Sequence, residues 1–121
     1  GHMQAVHSHQ DYIKVAAYFS KEIIRKLDCL DALIVNNDML AVSILTKLIR
    51  LGIKIPDQIS IIGFDDIWLD DLFVPKLTTI RQSTIETGQA IASMLLSLIQ
   101  GRQRNIRTVI EPELILRESV R

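Results

Sequence analysis

Ala32-Leu33-Ile34-Val35-Asn36-Asn37-Asp38 and, one helix length later, Ile59-Ser60-Ile61-Ile62-Gly63-Phe64-Asp65-Asp66 decide the fold of this chain. Each is a short β-branched apolar run that ends abruptly in amide or acid side chains. That is the pattern of a strand buried in a parallel sheet and running out into a polar loop. Between them, residues 40–51 are apolar except for Ser43, Thr46, Lys47 and Arg50. Asn37 or Asp38 stands where a helix N-cap is wanted, and Gly52 where a left-handed residue ends the helix. Strand, helix, strand implies a right-handed crossover, so the expected fold is α/β, a parallel sheet flanked by helices. The polar stripe on that helix is narrow, so a second surface, such as a partner subunit, is expected to cover it.

Upstream, Tyr12, Ala16, Phe19, Ile23 and Leu27 recur at helical spacing and predict a helix over residues 11–27 with one buried face. Downstream, residues 53–57 connect the helix to the second strand, and residues 67–74 read as a short helix or loop broken by Pro75. An extended segment at 77–81 follows, then a helix over 85–100 with Thr84 as its cap and Gly101 as its stop. Ile85, Ile91, Leu95, Leu98 and Ile99 give that helix a wide apolar side. Short strands are expected at 107–110 and 113–116, interrupted by Pro112. Gly1, His2 and Met3 read as the remnant of a cleaved tag, leaving 4–121 as the folding unit.

Fourteen basic residues balance fourteen acidic ones for a net charge of zero, and they are scattered. No basic stripe is available to neutralise phosphates, so this segment is a poor nucleic-acid binder by itself. A single cysteine, Cys29, excludes an internal disulfide and reads as a small core hydrophobe; with no apolar leader, a cytoplasmic setting is favoured. No apolar run approaches the roughly 20 residues of a membrane span.

In open α/β sheets ligands sit at the carboxyl ends of the strands, which makes Asn37, Asp38, Asp65 and Asp66 the candidate ligand-binding residues. The alternative is that Asn37 and Asp38 merely cap a helix and that the two aspartates merely make a turn. Trp68 follows at once, placed to stack on a ligand, cap a pocket, or pack in the core or against another subunit. Paired carboxylates also suit magnesium or a phospho-acceptor, but neither a Gly-rich phosphate loop nor a strand-end lysine accompanies them. His7 and His9 lack further ligands at metal spacing, and no nucleophile elbow is present. The expectation is a binding module, not an enzyme, with no cofactor and no metal.

Four ordered motifs carry a resemblance: residues 32–38, Gly52-Ile-Lys-Ile-Pro-Asp57, residues 59–66, and Pro75-Lys-Leu-Thr-Thr-Ile-Arg-Gln82. With the close Glu113-Leu-Ile-Leu-Arg-Glu-Ser119, they resemble the C-terminal part of the effector-binding domain of LacI/GalR transcriptional regulators. Such regulators are similar to two-lobed periplasmic binding proteins with a small ligand between the lobes and an N-terminal helix-turn-helix headpiece for operator DNA. The resemblance implies that Asn37 and Asp65 hydrogen-bond a sugar-like or nucleobase-like effector. It implies a homodimer interface from residues 40–51 and 67–74, including Leu40, Ile44, Leu48, Leu69 and Phe73. Asn36 stands where the family usually has a small residue.

The resemblance also implies that the headpiece, the main body of the N-terminal lobe and the first strand and helix of the C-terminal lobe lie outside this sequence. The helix within 84–101 would pack on that N-terminal lobe; without it, the exposed apolar side predicts self-association. A solute-binding protein of a sugar transporter is the alternative reading.

Overall fold

A computed structural model of the chain describes residues 9–102 and 107–121. The expected tag remnant, residues 1–3, and His7 lie outside the described residues. Helix α1 (His9–Arg25) follows the predicted periodicity and closes in a 3-10 turn, Leu27–Cys29. The turn carries Cys29 to the surface, so the core role expected of that thiol is not observed. Strand β1 (Ala32–Ile34) then pairs in parallel with β2 (Ser60–Ile62), and Asn37 caps the intervening helix α2 (Asp38–Arg50). Gly52 takes the left-handed φ of +84° that ending the helix there demands.

Residues 67–74 contain a 3-10 helix, Trp68–Asp71, and lead into β3 (Thr79–Arg81). The approach to β3 runs parallel to β2: Ile62 bridges Thr78, Gly63 N donates to Thr78 O, and Asp65 N donates to Ile80 O. Helix α3 (Thr84–Ile99) is capped by Ser83, one residue earlier than expected, because the Ser83 hydroxyl accepts from Glu86 N. Strand β4 (Glu113–Ile115) pairs antiparallel with β3. The strand expected at 107–110 does not form; all three residues of β3 pair with β4 instead.

The core lies between the strands and the helix pair. Ala41, Val42, Ile44, Leu45 and Leu48 of α2 meet Ile59, Ile61 and Leu77 on one side and Ala16 and Ile23 of α1 on the other. The second cover that the narrow polar stripe of α2 called for is therefore α1 of the same chain. Helix α3 buries none of its residues; Ile85 and Ile99 are 74% and 72% exposed.

One buried hydroxyl joins the C-terminal tail to the sheet. Ser119 Oγ donates to Ile61 O (2.6 Å) and accepts from Thr78 N (2.8 Å), while Ile61 N donates to Ser119 O (2.8 Å). Replacing Ser119 by alanine would strand a buried carbonyl and a buried amide, at a cost of about 2–3 kcal/mol. The urea midpoint should fall accordingly for Ser119→Ala, whereas exposed Ser93→Ala should leave it nearly unchanged.

Candidate functional site

The carboxyl edge of the parallel strands gathers Asn37 after β1, Asp65 and Asp66 after β2, and Gln82 after β3. Asn37 is half-buried; its Oδ1 accepts from Leu40 N (2.8 Å), and its amide nitrogen makes a long hydrogen bond to Asn36 Oδ1 (3.5 Å), leaving its second N–H for another partner. Asp65 is exposed, with φ of +122°. Partial burial and the nearby charge of Asp38 push its carboxyl above the ordinary aspartate value, against a hydrogen bond with Gln82 that pulls it down. Gln82 belongs to a motif that the sequence displays at the end of β3, but its residue type alone did not mark it as a site residue.

Asp38 and Asp66 face the other way. Asp38 is fully buried, and its carboxylate accepts from Thr79 Oγ1 (2.8 and 3.0 Å) and from Ile67 N (3.2 Å). It is thus not offered to a ligand; α2 begins at Asp38 and points it into the protein. Asp66, at φ of +55°, is held between two arginines: Arg81 Nε at 2.6 Å and Arg117 Nη2 at 2.7 Å. Burial alone would raise the Asp66 carboxyl, but the hydrogen bonds and charges of Arg117 and Arg81 overcome it and hold the group below the ordinary aspartate value. Both residues, expected to contact ligand, are internal ties instead. Trp68, also expected at the ligand, is 74% exposed on the 3-10 helix.

The residues expected at a subunit interface divide as well. Ile44 and Leu48 are buried in this chain's own core, so these two do not form an outward surface, whereas Leu40 packs against that core and is half-exposed. A helix turns about 100° per residue, which puts 41, 44, 45 and 48 toward the sheet and 39, 43, 46 and 50 away from it. Leu69 and Phe73 do reach the outward side, where with Met39, Thr46 and Lys47 they line a groove of about 480 Å³. The polar stripe Ser43, Thr46, Lys47 and Arg50 was the sequence signal for that outward face.

Beside Gln82, a cleft of about 140 Å³ is lined by Phe64, Ser83, Thr87, Glu111 and Pro112. It is smaller than the roughly 300–1,000 Å³ typical of small-molecule sites. Among the described residues no group of three or more His, Cys, Asp or Glu is arranged to hold a metal ion. No helix among the described residues is long and apolar enough to cross a membrane.

Residues 3–120 match the family described as periplasmic binding protein-like domain. The chain belongs to that family. This periplasmic binding protein-like domain is 39% identical over 94 residues to the HTH-type transcriptional repressor PurR of Haemophilus influenzae, a match covering 74% of this chain and 28% of that protein. It superposes on the periplasmic binding ribose operon repressor protein from Lactobacillus acidophilus with a TM-score of 0.80 at 29% identity, covering 88% of this chain and 40% of that one. A LacI family transcriptional regulator from Enterococcus faecium with bound ribose gives a TM-score of 0.73 at 31% identity, covering 93% and 40%. The resemblance to LacI/GalR effector-binding domains and the α/β fold expected from it therefore hold. The chain spans less than half the length of these relatives.

The Asp66–Arg117 pair sets a pH dependence. A carboxyl held below its ordinary value contributes stability that is complete above 3.8 and is lost as pH falls through the depressed value. Arg117→Met should cost about 2 kcal/mol near neutrality, since both partners are largely buried. Chemical denaturation at a series of pH values should show the gap between variant and parent closing below about pH 4.

Proposed function

We propose that this domain is the C-terminal part of the effector-sensing module of a LacI/GalR-type transcriptional repressor. In this reading Asn37 and Asp65, joined by Gln82, form one wall of a pocket for a small sugar-like or nucleobase-like ligand. The observation that supports the reading is that Asn37 and Asp65 follow the ends of adjacent parallel strands, with Gln82 beside Asp65, while Asp38 and Asp66 turn inward. A carboxylate and two amides are suited to vicinal hydroxyls or to a base edge, because between them they accept and donate. The small cleft at this edge fits a site whose second wall belongs to another lobe.

The relatives named above are repressors or regulators, which favours this reading over a transporter's solute-binding protein. The mechanism is linkage: the effector prefers one arrangement of two lobes, and that preference shifts operator binding by a headpiece outside this chain. Leu69, Phe73 and the outward side of α2 are the homodimer surface in this reading, α3 lies against the N-terminal lobe, and the protein works in the cytoplasm. No covalent chemistry is required.

Calorimetric titration of ribose and related sugars tests the half-pocket. This chain alone should bind no tighter than about millimolar, a version extended through the N-terminal lobe should bind at least tenfold tighter, and Asp65→Ala in that version should lose about tenfold or more. Submicromolar binding by this chain alone would overturn the reading. The exposed side of α3 leads to a second expectation, self-association of this chain in sedimentation velocity at high concentration. A monodisperse monomer with no bound apolar ligand would exclude it.

A further inference from the structure

Asp38 at the start of α2 and Asp70 on the 3-10 helix Trp68–Asp71 are far apart in sequence, yet their carboxyl groups face each other inside the protein. Neither residue is accessible to solvent. Asp38 is supplied with donors by Thr79 and Ile67, but neither carboxyl oxygen of Asp70 has a hydrogen-bond partner. The cation facing Asp70, Arg117, stands with Nη1 3.9 Å from Oδ2, beyond hydrogen-bond distance. Asp38 is unable to retreat toward β2, because even a Cβ at Gly63 would overlap its Oδ1. Two bare carboxylates in this position would repel each other in a medium too dry to screen them.

We propose that Asp70 is a neutral acid donating its proton to the Asp38 carboxylate, and that this shared proton is a latch fastening the 3-10 helix Trp68–Asp71 to the start of α2, opening as pH rises. A protonated Asp70 gives its otherwise orphaned carboxyl a partner, and Asp38 a third donor. Opening releases the proton to solvent and leaves two carboxylates, which separate.

The groups facing Asp70 agree with this. Burial first, then the facing Asp38 carboxyl on α2, both as an acceptor for the protonated acid and by its charge, and the charge of Asp66 on the turn after β2, push its carboxyl up to about 8 against the pull of Arg117 beyond β4. The folded state therefore holds a proton that the unfolded chain releases near 3.8. Stability from the latch is complete below that value and falls as pH rises toward about 8. Release would reach beyond the acid itself, because Asp70 O accepts from Leu77 N (3.0 Å) and Ile67 N donates to Asp38, so the path into β3 is tied to the same pair.

The test is a carboxyl ¹³C NMR titration of the full chain from pH 5 to 10, with amide exchange followed at Ile67 and Leu77. One aspartate should titrate with a midpoint near 8, and protection at those amides should fall through the same range. Asp70→Asn, neutral at every pH, should abolish both changes. Asp38→Asn, which removes the facing charge, should lower the Asp70 midpoint by about one pH unit or more. If every aspartate of the parent protein titrates below about pH 5.5, or if the Asp70 midpoint is the same in Asp38→Asn, the latch is refuted. The parent titration decides even where a variant does not fold.

Discussion

A carboxylate with no access to water organises this domain. Asp38 opens α2 at the positive end of the helix dipole, accepts from the β3 hydroxyl of Thr79, and accepts from the backbone amide of Ile67 where the chain leaves β2. Three segments distant in sequence converge on two oxygen atoms. Burying a charge is tolerable only when its lone pairs are filled, and here strand and loop each supply a donor. Gly63 completes the site by having no side chain where Asp38 must lie.

That internal use of acid divides the carboxyl edge into two kinds of residue. Asp65 and Asp66 are neighbours, both at positive φ, and the successive left-handed turns send their carboxyls apart: one outward beside Gln82, one inward to Arg117 and Arg81. Aspartate tolerates such backbone better than most side chains, which helps explain why a pair of them can make this turn. The inward acid ties the tail after β4 to the end of β2, and the outward one stays exposed beside Gln82. A rigid ion pair directly behind an exposed polar group is a means of holding that group in place without using it.

Packing is uneven in a way that matches this division. Helices α1 and α2 close one side of the parallel strands with a continuous apolar core, and the Ser119 tail closes the gap between β2 and the approach to β3. Helix α3 departs from the end of β3 with none of its residues fully buried, although its composition is among the most apolar in the chain. The surface it presents is therefore set by composition rather than by any contact within the described residues.

The sequence by itself determined the order of elements and most of their limits. Period-3.6 and β-branched runs are local properties, and so are the cap at Asn37 and the stop at Gly52. The four ordered motifs were enough to name the family and the α/β fold. Only the tertiary structure decided which of the acids turn inward and which stays exposed. Asp38, Asp65 and Asp66 are the same residue type at equivalent strand ends, and what separates them is whether Thr79, Arg81 or Arg117, between 15 and 51 residues further along the chain, come within reach. The same holds for Ile44 and Leu48, whose apolar character fits a subunit interface as well as a core until α1 is seen lying over α2. Cys29, read from its type as a core residue, is exposed, since burial depends on how the chain returns on itself and not on the residue alone.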